Sequence, residues 1–153
     1  MVAVIQIVKS ASVVADGVPA GSIGGGLYIL LGVCKDDEEK DAVILAQKIS
    51  KLRIFKDEND KMNRSVLDVD GEALVVSNFT LNANYAHGNR PDYFYSMQPD
   101  DANRLYLLFA EELGKSVRKV ATGVFGADMV SELVTDGPVT IVMDSKVLLG
   151  GKK

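Results

Sequence analysis

Thr135-Asp136-Gly137-Pro138-Val139-Thr140 separates two apolar runs, Met129 to Val134 and Val139 to Met143, near the C-terminal end of the chain. How that break is read decides the fold. Gly137 can take backbone angles closed to other residues, and Pro138 has no amide proton and accepts a cis bond more readily than any other residue. The pair is therefore a rigid backbone feature. The Val and Ile content of the flanking runs predicts strands, so the simplest reading is a hairpin with Gly137 and Pro138 at its corner. Taken alone, the dipeptide is best explained as an ordinary turn.

The rest of the composition bounds what the corner can belong to. With 153 residues, 47% hydrophobic and 25% charged, the chain suits one compact domain with its own core. We place that domain at residues 1–145 and expect the tail, 146–153, to fray. No apolar run is long enough to span a membrane, and MVAVIQIVKS lacks the basic then long apolar pattern of a signal peptide, so a cytoplasmic protein without membrane contact is expected. One cysteine, Cys34, allows no internal disulfide. One histidine, His87, leaves no zinc site of the usual kind. Neither metal nor cofactor is expected. A net charge of −4 argues against a broad basic surface coating DNA. Local RNA contact stays open, because Lys48, Lys51, Arg53 and Lys56, and again Lys115, Arg118 and Lys119, either flank a phosphate chain or are solvated faces.

In chain order, Val2 to Val8 reads as a buried strand. Asp16-Gly17 between Ser12–Ala15 and Val18–Ser22 is a strong hairpin signal, and Pro19 puts the second arm at an edge. Gly24-Gly25-Gly26 lacks the Lys and Ser or Thr of a phosphate loop and precedes a strand, Leu27 to Val33, so it reads as a flexible turn. Asp36 with Glu39 opens a helix in capping-box style, with Ala42, Leu45, Ala46, Ile49 and Leu52 on its buried stripe. Cys34 reads as a small buried hydrophobe. Arg53 to Phe55 predicts a short strand, followed by a polar loop, Lys56 to Asn63. Glu72 to Leu81 predicts an apolar strand whose end carries Ser77, Asn78 and Thr80. Asn82 to Gln98 is a long polar and aromatic loop of the kind that carries function. Pro99 starts a second helix, with Ala102, Leu105, Tyr106, Phe109 and Leu113 facing inward. The fold class is α+β, a mixed or antiparallel sheet with two main helices on one face.

In this order VIQIV, KMNRSV (61–66), VVSNFTL (75–81), GNRPDY (88–93), TGVFGADM (122–129) and DGPVT (136–140) make the chain resemble the D-aminoacyl-tRNA deacylase family, once called D-tyrosyl-tRNA deacylases. The likeness spans nearly the whole chain. It implies a compact α+β homodimer that hydrolyses the ester between a D-amino acid, or glycine, and the terminal adenosine of tRNA. By residue matching, it places Ser77, Asn78, Phe79 and Thr80 in the catalytic site. Phe125, Gly126, Ala127 and Met129 fall in the adenosine pocket. Gly137 and Pro138, joined by a cis bond, become a chiral filter that enters the partner's pocket. Backbone amides near Phe79 and the adenosine 2′-hydroxyl then do the chemistry. A Thr80 nucleophile is the competing mechanism, although no base for it is apparent. The family usually carries Arg, Gln, a polar residue and Asn where this chain has Ile7, Asn78, Val130 and Thr135. Those departures leave open a second reading, a protein of the same fold that binds adenosine or the tRNA 3′ end without turnover.

Overall fold

In the computed structural model, which describes residues 1–150, Val2–Ala15 forms β1 and Met129–Asp144 forms β8. The two pair antiparallel from Val2↔Asp144 to Ala15↔Met129. The expected hairpin at Gly137 is therefore absent, and the chain runs on in one direction. Pairing skips from Gln6↔Thr140 to Val8↔Thr135 and then to Ser10↔Val134. Asp136 to Val139 consequently stand out from the strand as a bulge, and β1 holds an extra residue at Lys9. Locally the reason is clear. Gly137 sits at φ +121°, where a Cβ would lie 2.6 Å from the Val139 nitrogen, and Pro138 has no proton to donate. Beyond the bulge, β1 still offers unbroken partners, so the ladder resumes. The Gly137–Pro138 bond is cis.

The bulge also divides the core. An extra residue turns every side chain beyond it to the other face of a sheet. Ala3, Ile5 and Ile7 accordingly join a cluster under the helices, as do Val139, Ile141 and Met143, whereas Val8, Ala11 and Val13 join a second cluster with Met129 and Leu133. The Asp16-Gly17 hairpin is as expected: both residues have positive φ, 48° and 80°, and Ala15 pairs with Val18. It leads into β2 (Val18–Ile23), the edge strand that carries Pro19.

Next come β3 (Gly26–Gly32), β6 (Glu72–Ser77) and β7 (Val120–Thr122), parallel to one another, in the sheet order β2-β1-β3-β6-β7, with β8 on the other side of β1. The sheet rolls until β2 meets β7, where a Cβ on Gly21 would stand 2.7 Å from the Thr122 carbonyl oxygen. The second cluster fills that roll. The other face is covered by α1 (Glu39–Ser50) and α2 (Pro99–Gly114), as their apolar spacing requires. This is the α+β arrangement expected. No helix among the described residues is long and apolar enough to cross a membrane.

Local boundaries differ from expectation where a side chain intervenes. Helix α1 is capped at Glu38 and not Asp36, because the Asp41 carboxylate accepts the Glu38 N–H at 2.9 Å. The Gly24–Gly26 stretch is clamped, not flexible: the Glu72 carboxylate accepts the Gly24 N–H at 3.0 Å, and Gly26 already belongs to β3. The loop after α1 closes as a small hairpin of β4 (Phe55–Lys56) and β5 (Met62–Arg64).

The chain beyond Asp144 does not fray where it is described. Ser145–Leu148 forms the short helix α3, Leu148 packs on the helix-side core, and Ser145 Oγ donates to Asp41 at 2.6 Å. Lys146 pairs with Asp41 at 3.0 Å and Asp37 at 3.3 Å. Residues 151–153 lie outside the described residues. Burial alone would push the Asp41 carboxyl up, but hydrogen bonds from Ser145, the Glu38 N–H and Lys146 outweigh it and hold the group below its usual value. A carboxyl lowered on folding contributes stability that is complete above its unfolded pKa of about 3.9 and disappears as pH falls through the lower folded value. Asp41→Ala leaves the buried Ser145 hydroxyl and the Glu38 N–H without their acceptor and Lys146 with one carboxylate, Asp37, and should cost about 1–3 kcal/mol at neutral pH. In denaturant titrations Asp41→Asn should also lose part of the acid sensitivity expected of the parent below about pH 4.

Candidate active site

The three parallel strands end on the same side of the molecule, and the carboxyl ends of parallel strands are where an open α/β sheet leaves room for a ligand. A cavity of about 430 Å³ opens there. Its floor is Leu31 and Val33 at the end of β3, and Ser77 and Asn78 at the end of β6. Pro99 and Ala102, in the first turn of α2, form one wall, and the segment from Phe125 to Met129 forms the other.

The predicted strand through Leu81 stops early, at Ser77, because Asn78 caps a 3-10 turn over Phe79–Asn82. The Asn78 side-chain oxygen accepts the Thr80 N–H at 3.2 Å and also the Thr80 hydroxyl. This turn carries Phe79 to the rim of the cavity, half exposed and edge-on to Tyr93, with ring centroids 4.9 Å apart. Its carbonyl oxygen accepts the Ser96 hydroxyl at 3.2 Å. The opposite wall is positioned by the first hairpin: Asp16 N–H donates to the Asp128 carbonyl at 2.8 Å, and the Asp16 carboxylate accepts the Asp128 N–H at 3.1 Å. A turn read from two letters near the N-terminus thus fixes the segment that holds Phe125, Gly126, Ala127 and Met129.

Of the residues singled out from sequence, Ser77, Asn78, Phe79, Phe125, Gly126, Ala127 and Met129 converge on this cavity. Thr80 does not line it, and its hydroxyl proton is committed to Asn78. Gly137 and Pro138 are exposed on the β8 bulge and do not line the cavity of their own chain. Sequence reasoning did not single out Ser96, Met97 or Leu31. The first two close the aromatic loop just before Pro99, and that position was the signal available. Ile7 is buried beneath the helices, paired with Leu27. Cys34 is half-buried and not fully so; burial pushes its thiol up, and Sγ donates to Asn82 at 3.3 Å, so it is no reactive thiolate.

No ionisable side chain among the described residues lines the cavity. Behind the cavity wall, Tyr106 touches Phe125 with its ring, donates its hydroxyl to the Val75 carbonyl at 2.9 Å, and is pushed by burial up to about 12. His87 is exposed in the loop. The site can therefore offer an apolar slot, amide and hydroxyl dipoles, and the N–H groups that open a helical turn, of which the first few have no acceptor inside the turn. That inventory suits binding an already activated carbonyl, not generating a strong side-chain base or nucleophile.

The chain's relatives show its family over nearly its whole length. A family model described as D-Tyr-tRNA(Tyr) deacylase matches residues 4–144. The chain is 52% identical over 148 residues to a D-aminoacyl-tRNA deacylase of Sulfurihydrogenibium sp., covering 97% of this chain and 100% of the relative. It is 51% identical to a D-aminoacyl-tRNA deacylase of Caldicellulosiruptor saccharolyticus, over 95% of this chain and 98% of the relative. Among solved structures, one described as c-Myc DNA Unwinding Element Binding Protein is 39% identical, with a TM-score of 0.88 over 94% of this chain and 98% of that one. A probable eukaryotic D-amino acid tRNA deacylase at 14% identity and TM-score 0.82 shares the fold.

Proposed function

The chain belongs to the D-Tyr-tRNA(Tyr) deacylase family and is a D-aminoacyl-tRNA deacylase; from that premise we propose how it binds its substrate and selects it. The terminal adenosine lies between Phe125 and Met129, and the aminoacyl ester points towards Ser77 and Phe79. Water adds to the ester carbonyl carbon, the bond to the ribose oxygen breaks, and the proton ends on the departing ribose hydroxyl. The negative charge that develops on the carbonyl oxygen is held by the backbone N–H of Phe79, at the open end of the 3-10 turn. The adenosine 2′-hydroxyl assists the attack. The observation that carries this reading is a cavity of about 430 Å³ that no ionisable side chain among the described residues lines, set beside that turn.

Selection falls to Gly137 and Pro138 of a second copy. Both are exposed on a bulge of the edge strand, whose outer edge has no strand partner among the described residues, and that strand also exposes Val130 and Val134 on one face and Val142 on the other. A homodimer built on this edge would carry the carbonyl oxygens of the bulge into the neighbour's cavity. Backbone oxygens suit this selection, since they exclude a side chain by its position at Cα and not by its identity. Glycine, with no side chain, would pass. The reaction would take place in the cytoplasm, with the tRNA 3′ end as partner.

The test is release of amino acid from D-tyrosyl-, L-tyrosyl- and glycyl-tRNA by purified protein. Rapid release from the first and third with the second spared is expected. Equal rates on both enantiomers would remove the filter, and adenosine binding without any release would remove the enzyme. Because the Thr80 hydroxyl is bonded to Asn78 and lies off the cavity lining, Thr80→Val should keep kcat within about threefold, whereas a nucleophilic Thr80 would lose at least about 10³-fold.

A further inference from the structure

The loop between the 3-10 turn and α2 is tied down along its backbone. Asn84 and Asp92 exchange backbone hydrogen bonds at 2.9 Å each way, and the Asn84 side-chain amide donates to the Asp92 carboxylate, also at 2.9 Å. Towards its end, Lys35 N–H donates to the Tyr95 carbonyl at 2.9 Å and Met97 N–H to the Val33 carbonyl at 3.1 Å. Yet this anchored loop turns its largest side chains outward: Tyr85 is 79% exposed, Phe94 82% and Tyr95 55%. Rings held in water on an ordered backbone add nothing to the core. The Lys35 ammonium stands 5.3 Å from the Tyr95 ring centroid, and Arg90 is exposed in the same loop. The loop also reaches the cavity directly, since Ser96 and Met97 line it and Tyr93 braces Phe79 at its rim.

We propose that Tyr85, Phe94 and Tyr95 form a stacking platform for the single-stranded nucleotides that precede the terminal adenosine, with Lys35 and Arg90 serving their phosphates. The proposal rests on the substrate reading above: with the adenosine in the cavity, the nucleic acid chain has to leave over a rim, and this rim pairs flat π faces with cations. That combination is how sequence-tolerant single-strand sites work, because every base has a face to stack. A second copy of the chain is the poorer occupant, since the outer edge of β8 offers a strand's backbone groups for pairing, and the loop offers no such edge.

The experiment compares the parent with Tyr85→Ala/Phe94→Ala/Tyr95→Ala on two probes. Fluorescence anisotropy with a labelled RNA, 5′-ACCA, should show at least about tenfold weaker binding by the triple variant, and Tyr85→Phe/Tyr95→Phe should restore it. Hydrolysis of D-tyrosyl-tRNA should fall by a similar factor in kcat/KM, and hydrolysis of the D-tyrosyl ester of adenosine should not change. Unchanged RNA affinity, or equal losses on tRNA and adenosine esters, overturns the platform. If the parent hydrolyses neither ester but the RNA affinities separate as stated, the platform stands and the catalytic reading fails.

Discussion

Phe79→Pro is expected to lower kcat for D-aminoacyl-tRNA hydrolysis by about 10²–10³-fold, the usual cost of removing one oxyanion donor. The substitution suits the backbone. Asn78 before it is extended, at φ −148° and ψ 91°, as a residue preceding proline must be, and proline is favoured at the first position of a helical turn. What is lost is the N–H, together with the ring that rests on Tyr93. Phe79→Ala separates the two, because it removes the ring and keeps the N–H. Its kcat should stay within about tenfold of the parent, the range left once the oxyanion donor is retained. Single-turnover kinetics on both variants is the measurement. Equal losses would assign the effect to the ring and leave the developing charge without its donor.

The largest effect on stability is expected at Gly26. It lies at φ +156° in β3, pressed against β6 so closely that a Cβ would stand 1.9 Å from the Glu72 carbonyl oxygen and 2.6 Å from its nitrogen. Neither atom can yield, because both are backbone in the parallel ladder that begins at Gly26↔Glu72. Gly26→Ala must therefore part the two central strands, at a cost above about 4 kcal/mol, a large share of the total stability of a domain this size. Two residues earlier, a Cβ on Gly24 meets nothing within 4 Å, and Gly24→Ala should change stability by less than about 1 kcal/mol. Urea midpoints of the pair provide the check. A parent-like midpoint for Gly26→Ala would mean the strands do not approach as described.

Side-chain period and turn letters made much of this protein legible before its structure. The stripe Leu105, Tyr106, Phe109 and Leu113 is buried as its helical spacing demands, and Asp16-Gly17 turns where two positive φ angles are needed. Both signals are local, carried by residues a few positions apart. The motif order from VIQIV to DGPVT added the family, and with it Ser77, Asn78, Phe79, Phe125, Gly126, Ala127 and Met129, which line the cavity.

What sequence could not decide was pairing across distance. Met129 to Met143 looks like two strands and a corner, because the break at Gly137 and Pro138 is visible locally while the partner that bridges it, β1, lies more than a hundred residues away. Only that partner turns a corner into a bulge, moves the apolar faces from one core cluster to the other, and leaves Gly137 and Pro138 on an exposed edge. Ser96 and Met97 likewise became cavity residues only through hydrogen bonds to Phe79 and Val33. The periodicities of a chain record which side of an element is wet, and tertiary structure alone selects the neighbour that dries the other.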